Sequence, residues 1–411
     1  MKYVIVIPDG AADEPRPELN GRTPLQAARK PAMDEIARQG IVGLSRNVPD
    51  CFLPASDVAT LSLFGYDPVE YYTGRAPLEA AAMGIKLGPH DWAVRCNLMT
   101  ILDGQMTDFT AGHVTSDEAK ELIAVLNQTL ATDRIEFHPG VSYRNLMIYR
   151  GKPDEVVFGA DTTTTPPHDV PDRPAIDHLP RGTGSELLRE LMWKGSDAIR
   201  DHEVNRGRAA AGKRPANAVW LWGQGKAPAL PRFDAVRGLK GAIISAVDLV
   251  RGVGVLAGWD RIDVPTATGY LDTDYAAKGI AAIAALRDHD IVCVHIEAPD
   301  EASHEGRADA KVEAIERIDE AIVAPVLAAL KVCPSWRILT SPDHSTLLAT
   351  RAHDRAPVPW AMAGTGIGAF NEGSSRGSGY PYDEISARAA GGPTFDQGFR
   401  LMDLFLKGND A

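Results

Sequence analysis

The sequence predicts an α/β protein in which a mostly parallel β-sheet is sandwiched by helices and a smaller α+β domain is inserted into it. Short β-branched runs that end in Asp- or Gly-rich loops alternate with helical stretches, which is typical of a parallel sheet. Apolar residues recur at three- and four-residue spacing between Val312 and Val326, as in an amphipathic helix. A middle region departs from this alternation and indicates the inserted domain.

The clearest strands combine β-branched residues with a Gly, Asp or Ser at or just beyond their ends. They are residues 3–7, 218–222, 241–245, 291–296 and 336–340.

The inserted domain is expected from two strand-like segments, 94–102 and 142–149, on either side of a helical segment, 116–130. A proline-rich connection, 162–174, follows it, and a helix over 185–211 is expected to return the chain to the main sheet. The predicted organisation is a first part of the core at 1–88, an inserted substrate-binding domain at 89–171, and a second part of the core at 172–411.

Composition excludes several classes of protein. Apolar residues make up 44% and charged residues 24% of 411 residues, which is ordinary for a folded globular chain. A formal net charge of −12 opposes binding to nucleic acid or anionic lipid, and no apolar stretch reaches the ~20 residues of a membrane span. We therefore expect a cytoplasmic protein with neither kind of partner.

Acidic and imidazole side chains follow the predicted strands at their carboxyl ends, where open α/β sheets build their sites. Carboxylate oxygen and imidazole nitrogen together suit Mn²⁺, Zn²⁺ or Fe²⁺, and a set of this size suits two ions. Two ions about 4 Å apart can clamp the attacking and leaving oxygens of an in-line phosphoryl transfer. The candidates are Asp9, Asp300, His304, Asp343, His344 and His353.

Ser56 is the candidate nucleophile. It begins a helical pattern in Pro-Ala-Ser-Asp-Val-Ala-Thr-Leu, which places it at or next to the helix N-cap. Free N–H groups at a helix start attract phosphate, and a coordinated cation makes a serine hydroxyl a competent nucleophile.

Each of these residues also has an ordinary structural interpretation. Ser56 alone could be an N-cap, Asp9 a turn residue, and Asp300 with His304 a helix cap and a surface histidine. The remaining histidines with no comparable context are expected to be solvated or hydrogen-bonded, and they include His90, His178, His202, His289 and His295.

These motifs resemble the alkaline phosphatase superfamily and, more narrowly, the archaeal-type cofactor-independent phosphoglycerate mutases that also occur in bacteria. The similarity runs along nearly the whole chain. Its motifs are Pro-Asp-Gly-Ala-Ala-Asp from Pro8, Ser-Asp-Val-Ala-Thr-Leu-Ser-Leu-Phe-Gly-Tyr from Ser56, Tyr-Tyr-Thr-Gly-Arg-Ala-Pro-Leu-Glu from Tyr71, Phe-Thr-Ala-Gly-His from Phe109 and Trp-Leu-Trp-Gly-Gln-Gly from Trp220.

The resemblance implies an alkaline-phosphatase-like core, a glycolytic and gluconeogenic isomerase activity, and a phosphoserine intermediate on Ser56. One ion would be held by Asp9, Ser56, Asp343 and His344, and the other by Asp300, His304 and His353. Mn²⁺ is the metal first expected, with Mg²⁺, Zn²⁺ and Co²⁺ as alternatives.

The resemblance also implies that the inserted domain closes over a small phosphorylated substrate. Guanidinium groups suit the phosphate and the carboxylate of phosphoglycerate because they can grip each one bidentately. His113 or Asp169 is the expected acid/base. The implied substrate-binding residues are Arg95, Asn97, His113, Arg144, His168, Asp169 and Arg208.

Two positions depart from the family pattern: Ala55 stands where a glycine often precedes the nucleophile, and Arg251 where lysine is common. Ala55 would be costly if the backbone were left-handed there. Three other functions stay open at this point: a phosphomonoesterase with the same metals, a homoserine kinase, and a catalytically inactive binding protein. The oligomeric state is not predicted.

Overall fold

A computed structural model describes residues 1–368 and 377–408 of the chain. The chain forms two compact units, one made of Met1–Tyr72 with Ala229–Ala411 and the other of Thr73–Pro228. We call them the main unit and the inserted unit. No helix among the described residues combines the length and the hydropathy that crossing a bilayer would require.

The β-strands are numbered in chain order. They are β1 (Lys2–Pro8), β2 (Ile41–Ser45), β3 (Trp92–Leu102), β4 (Gln105–Asp108), β5 (Ile135–Val141), β6 (Arg144–Tyr149), β7 (Ala218–Gly225), β8 (Gly241–Ile244), β9 (Asp260–Arg261), β10 (Ile291–Ile296), β11 (Trp336–Thr340), β12 (Ser345–Leu347), β13 (Ala352–Asp354), β14 (Val358–Gly364) and β15 (Thr394–Phe395).

The α-helices are numbered in the same way, and a π-helical segment, Asp319–Val323, joins the thirteenth to the fourteenth. They are α1 (Pro24–Ala27), α2 (Pro31–Gln39), α3 (Ser56–Leu63), α4 (Pro68–Tyr71), α5 (Arg75–Ala82), α6 (Ser116–Leu130), α7 (Ser185–Arg200), α8 (Glu203–Ala210), α9 (Phe233–Arg237), α10 (Asp248–Leu256), α11 (Tyr275–Ala285), α12 (Ala298–His304), α13 (Ala308–Ile318), α14 (Ala324–Lys331), α15 (Glu384–Ala389) and α16 (Leu401–Lys407).

The main unit is built on a sheet with the strand order β15-β2-β14-β11-β1-β10-β8-β9. The run from β11 to β9 is parallel, and β14 is antiparallel to both of its neighbours. This confirms the predicted mostly parallel sheet. Because β1 lies between two strands in a sheet packed on both faces, its residues Val4 to Ile7 are fully buried and read as an unbroken apolar run.

The inserted unit contains an antiparallel sheet in the order β4-β3-β6-β5, with β7 paired to β3. Helix α6 packs on β5, and α7 packs on α6 and β7. A continuous buried core joins these elements, including Leu122, Leu126, Leu188 and Trp220. The α+β character expected for this region is present.

The predicted limits of the inserted region were too narrow on both sides. It was expected over 89–171, but the compact unit runs from Thr73 to Pro228, so the core segments expected at 1–88 and 172–411 are correspondingly shorter. Residues 218–222, expected in the main sheet, form part of β7 and pair antiparallel with β3. An apolar run of this length fits either sheet, because local periodicity does not reveal the partner strand.

The helix expected over 185–211 to lead back to the main sheet is also different. It forms two helices, α7 and α8, separated at Asp201 and His202, where the His202 side chain accepts a hydrogen bond from the N–H of Val204. Both helices belong to the inserted unit.

Candidate functional site

Three neighbouring parallel strands bring the candidate ligands of the main unit to one edge of the sheet. β1 lies between β10 and β11. Asp9 follows β1, Asp300 lies in the short helix after β10, and Asp343 with His344 lies in the loop after β11. Parallel strands share the edge at which their carboxyl ends lie, so residues far apart in sequence meet there.

Asp300, His304 and His353 form a compact trio. The Nε2 atom of His304 lies 3.1 Å from Asp300 Oδ2, and that of His353 lies 3.4 Å from Asp300 Oδ1. The two imidazole Nε2 atoms are 3.0 Å apart. The potential ligand atoms of this trio lie within 4.8 Å of one another.

Ser56 meets a second group of candidates. Its Oγ lies 3.2 Å from His344 Nε2, and the same nitrogen lies 3.3 Å from Asp343 Oδ2 and 3.7 Å from Asp9 Oδ1. The His344 and His353 ring centroids are 4.1 Å apart, which joins this group to the trio. The structure therefore brings all seven predicted metal-site residues together.

The backbone at the start of the helix that carries Ser56 is not strained. Ser56 is the first residue of α3, and Ala55 is its N-cap residue with an extended backbone at φ −166°. The cost expected from an alanine at this position does not arise, because any residue adopts that conformation. Arg251, the other departure, donates from Nε to the Ser245 carbonyl and pairs with Asp248.

The nitrogen and oxygen atoms of the cluster fit bound cations. His304 and His353 each direct Nδ1 at a backbone carbonyl, that of Arg351 at 2.9 Å and that of Pro54 at 3.1 Å. A carbonyl only accepts, so each Nδ1 carries a hydrogen, and Nε2 is the ring atom whose lone pair a bound cation would take in place of a proton.

Two buried carboxylate oxygens support the same conclusion. Asp9 Oδ1 and Asp343 Oδ2 have no hydrogen-bond partner among the described residues. Burial and then the Asp343 carboxylate raise the pKa of Asp9 well above its usual range. Leaving such oxygens unpaired in a buried site is expensive, and a divalent cation satisfies both.

Asp300 has the opposite electrostatic environment. Its burial raises the pKa of its carboxyl, but hydrogen bonds from His304 and His353 outweigh burial and hold that pKa well below its usual range. The same hydrogen bond raises the pKa of His304 to about 9. Carboxylate and imidazole stabilise each other's charged forms here in the absence of a metal ion.

Sequence reasoning missed several supporting residues of the main unit. Thr346 Oγ1 hydrogen-bonds Asp300 Oδ1 and lies 3.3 Å from His344 Nδ1. His295 and Glu297 form a further close group with Asp9. Neither His295 nor Thr346 carried a signal in the sequence, because the strand or loop that lies beside each of them cannot be read from the local pattern.

A buried cation, Lys311, holds the loops on which these ligands stand. Its Nζ donates to Asp13 Oδ2 at 2.8 Å and to the Thr346 carbonyl at 2.8 Å, and the side chain is fully buried. Asp13 Oδ2 also accepts from the N–H of Leu348 at 3.1 Å. The loop after β1 is thereby tied to strand β12.

In the inserted unit, Arg95, Asn97 and Trp222 form the inner part of a second cluster. The Arg95 guanidinium lies 4.2 Å from the centroid of the Trp222 ring and pairs with Glu79 at 3.0 Å. Trp222 Nε1 donates to Asn97 Oδ1 at 3.1 Å. Arg95 Nε is buried and has no partner among the described residues, so it remains available to an anionic ligand.

His168 and Asp169 lie at the exposed side of this cluster. The His168 ring is 5.6 Å from Trp222, and its Nε2 lies 3.7 Å from Asp169 Oδ1. Burial lowers the pKa of His168, Asp169 opposes this, and the positive charges of Arg75 and Arg95 lower it further. Arg75 is thus an additional cation near the cluster that sequence reasoning did not select.

A chain of aromatic ring contacts links Arg144 to the cluster. Its guanidinium lies 5.5 Å from the Tyr143 ring, Tyr143 contacts Phe109, and Phe109 contacts His168. Arg144 is exposed, in contrast to Arg95.

His113 and Arg208 occupy a different position in the inserted unit. His113 is exposed at the end of a turn with a positive φ of 52°. Arg208 is buried beneath that turn, where it donates to the carbonyls of Ala111 and Gly112 and pairs with Glu118 at 2.6 Å. The Arg208 guanidinium thus supports the turn that carries His113, and a contact between Arg208 and substrate stays a prediction.

Comparison with known proteins gives a consistent relationship. A family model described as 2,3-bisphosphoglycerate-independent phosphoglycerate mutase matches residues 37–205. A relative of that name from Methanothrix thermoacetophila is 51% identical over 99% of this chain and 100% of its own length. Another, from Methanothermobacter thermautotrophicus, is 46% identical over 99% of this chain and 97% of its own.

Solved structures agree with these relatives. A Pyrococcus horikoshii protein superimposes with a TM-score of 0.80 at 27% identity, covering 98% of this chain and 96% of that one. A cofactor-independent phosphoglycerate mutase from Thermoplasma acidophilum gives a TM-score of 0.67 at 27% identity and covers 99% of both chains. The chain belongs to the family of 2,3-bisphosphoglycerate-independent phosphoglycerate mutases.

Proposed function

We propose that this protein interconverts 3-phosphoglycerate and 2-phosphoglycerate without 2,3-bisphosphoglycerate, through a phosphoserine on Ser56. The observation that carries the proposal is the position of the Ser56 hydroxyl, 3.2 Å from His344 Nε2 in a cluster of imidazoles and buried carboxylates. Membership of the family supports the same reaction. The compartment we propose for this glycolytic and gluconeogenic step is the cytoplasm.

Two divalent cations are the proposed cofactors. Asp9, Ser56, Asp343 and His344 would hold one, and Asp300, His304 and His353 the other. When bound, the cations lower the pKa of the serine hydroxyl and neutralise charge on the phosphoryl oxygens. Mn²⁺ is the proposed ion because it accepts mixed oxygen and imidazole ligands, with Mg²⁺, Zn²⁺ and Co²⁺ as alternatives for the test.

The reaction uses the serine oxygen twice. Ser56 Oγ attacks the phosphorus of 3-phosphoglycerate, its proton leaves, and the bond from phosphorus to the substrate's 3-oxygen breaks as that oxygen takes a proton. The 2-hydroxyl of the glycerate then loses its proton and attacks the phosphoserine, which frees Ser56 Oγ. Asp169 or His113 is the proposed proton carrier for the glycerate hydroxyls.

The cationic and aromatic cluster of the inserted unit is the proposed binding surface for the glycerate part and its carboxylate. Arg95 offers a buried donor without a partner among the described residues, and Arg144 and His168 add positive or polar groups at the exposed side. Asn97 and Asp169 can bind hydroxyl groups. Guanidinium groups fit carboxylate geometry because two parallel N–H donors meet two oxygens.

The test is a ³¹P NMR assay with 3-phosphoglycerate and Mn²⁺ in the absence of 2,3-bisphosphoglycerate. The proposal expects 2-phosphoglycerate in the wild type and no product in Ser56→Ala with an unchanged circular dichroism spectrum. Free phosphate without 2-phosphoglycerate would identify a phosphomonoesterase. Nucleotide-dependent phosphorylation of homoserine, with no mutase activity, would identify a kinase.

A further inference from the structure

His295 is a polar residue in a buried strand whose other residues are apolar. β10 reads Ile-Val-Cys-Val-His-Ile, and all six of its residues are buried. The side chain of His295 is fully buried and lies level with Ile7 of β1, two residues before Asp9. A buried imidazole is costly unless its ring nitrogens have partners, so the partners of His295 indicate its role.

Both ring nitrogens of His295 are hydrogen-bonded. Nε2 lies 2.8 Å from Asp9 Oδ2, and Nδ1 lies 3.1 Å from Ser245 Oγ. The Ser245 hydroxyl already accepts from the N–H of Val247 at 3.0 Å. Its own hydrogen can point at Nδ1 at 3.1 Å, which is closer than the alternative acceptor, the Val247 carbonyl at 3.5 Å.

These contacts determine which nitrogen carries the hydrogen. When Asp9 holds a cation its carboxylate is ionised and only accepts, so the nitrogen that faces it must donate. The serine hydroxyl donates to the other nitrogen. The neutral imidazole with hydrogen on Nε2 satisfies Asp9, His295 and Ser245 together, whereas the other tautomer would set a lone pair against the Asp9 carboxylate.

The hydrogen bond leaves the two oxygens of Asp9 unequal. Oδ2 is held by His295, whereas Oδ1 is buried, has no partner among the described residues, and lies 3.7 Å from His344 Nε2. Oδ1 is thus the oxygen that faces the Ser56 group. Hydrogen-bond partners of metal-ligating carboxylates act in this way, by orienting the carboxylate and fixing which oxygen it offers to the metal.

We propose that His295 is a positioning residue: its Nε2–H holds Asp9 Oδ2, so that Asp9 presents Oδ1 alone to a divalent cation. The inference rests on the proposed function, because it takes Asp9 to be a cation ligand. It assigns a role to a histidine whose sequence context gave no sign of one.

One competing arrangement uses the same atoms. Glu297 Oε2 lies 3.6 Å from His295 Nε2, is buried, and has no hydrogen-bond partner among the described residues. With Asp9 these residues form a close group that could itself hold an ion. His295 would then be a ligand, and the protein would bind one cation more than the two proposed.

The experiment titrates metal-free protein with Mn²⁺ and follows free Mn²⁺ by electron paramagnetic resonance. We expect two ions in the wild type and, in His295→Leu, a loss of about 10–100-fold in the affinity of one of them. His295→Gln keeps an amide donor at a similar distance and should bind both ions within about threefold of the wild type.

His289→Leu is the matched control. His289 is also buried and pairs with a carboxylate, with its Nε2 3.0 Å from Asp260 Oδ2, but it precedes the amino end of β10 rather than the carboxyl end. Its substitution should leave both Mn²⁺ affinities unchanged. If it lowers them as much as His295→Leu does, the effect is one of general stability and the proposal fails.

Ser245→Ala keeps the proposal testable if His295→Leu does not fold. Loss of the hydroxyl frees the ring to change tautomer, so Mn²⁺ affinity at one site should fall about 3–10-fold. Wild-type affinity in a folded His295→Leu, or in Ser245→Ala if His295→Leu does not fold, overturns the inference and leaves the proposed function intact. Three ions in the wild type and two in His295→Leu would make His295 a ligand. A wild type that binds no ion removes the proposed function itself.

Discussion

The candidate site of the main unit and that of the inserted unit are built in opposite ways. In the main unit, Asp9 and Asp343 are 0% and 1% exposed and are positioned by neighbouring strands of one parallel sheet. In the inserted unit, the side chains of His168 and Asp169 are 43% and 57% exposed and follow a proline-rich loop. One site is buried at the ends of regular strands, and the other keeps its polar groups accessible to solvent.

This difference matches the two tasks in the proposed reaction. Cation ligands must be held close to their working geometry, because coordination tolerates little displacement. A substrate that reorients between two phosphoryl transfers benefits from accessible groups that can change partners. Substitutions in the main unit should therefore affect metal binding and turnover, and those in the inserted unit should affect substrate binding.

Ser56→Ala should give the largest effect. Turnover should fall by a factor on the order of 10⁴–10⁶, because the atom that accepts the phosphoryl group is absent. The measurement is the mutase rate at saturating 3-phosphoglycerate and Mn²⁺. Ser196→Ala removes a hydroxyl in the inserted unit that donates to the Met192 carbonyl and accepts from the N–H of Val219; it is the control and should retain the wild-type rate.

Lys311→Met should give the largest effect on folding. Its removal leaves Asp13 buried without its cation, which typically costs about 3–5 kcal/mol in the free energy of unfolding. Arg208→Met in the inserted unit should cost less, about 1–3 kcal/mol, because Glu118 is 25% exposed and water can replace the guanidinium. Urea denaturation of both variants measures the difference, and equal losses would contradict this contrast.

Arg95→Met should affect substrate binding and leave the metal site intact. Loss of one charged donor to an anionic substrate should raise KM about 10–100-fold at unchanged Mn²⁺ affinity. Arg214→Met is the control, since that side chain is 53% exposed and pairs with Asp108. A fall in Mn²⁺ affinity in Arg95→Met would show that the two sites are not separate in function.

Lys278→Met should change how the free energy of unfolding depends on pH between about pH 8 and pH 10. Burial lowers the pKa of Lys278 from 10.5 to about 8 in the folded protein. Between these values the unfolded chain binds a proton that the folded chain lacks, so the contribution of Lys278 to stability rises with pH, by up to about 3 kcal/mol. The measured quantity is the difference in free energy of unfolding between wild type and variant at pH 8, 9 and 10. A constant difference would contradict the shift.

The main unit and the inserted unit also differ in how much of their structure the sequence predicts. Asp9, Asp300 and Asp343 were found because strand–loop boundaries are visible in the sequence and parallel strands end at one edge. The limits of the inserted unit could not be predicted, because the apolar run 218–222 does not reveal its antiparallel partner β3. The burial of the Arg208 guanidinium beneath a turn could not be predicted either, because a motif does not show whether a side chain faces solvent or the protein interior.

The supporting residues were the hardest to predict. Thr346, His295 and Lys311 act through contacts with residues far away in the sequence, and none of them carries a local pattern. Buried polar residues of this kind are recognised only when their partners are known.

Anomalous X-ray diffraction from crystals grown with Mn²⁺ locates bound cations relative to Ser56. We expect two peaks, one within about 2.5 Å of Ser56 Oγ and of oxygens from Asp9 and Asp343, and one within the same distance of His304 and His353. Peaks elsewhere, or none within reach of Ser56, would show that Ser56 is not activated by bound cations.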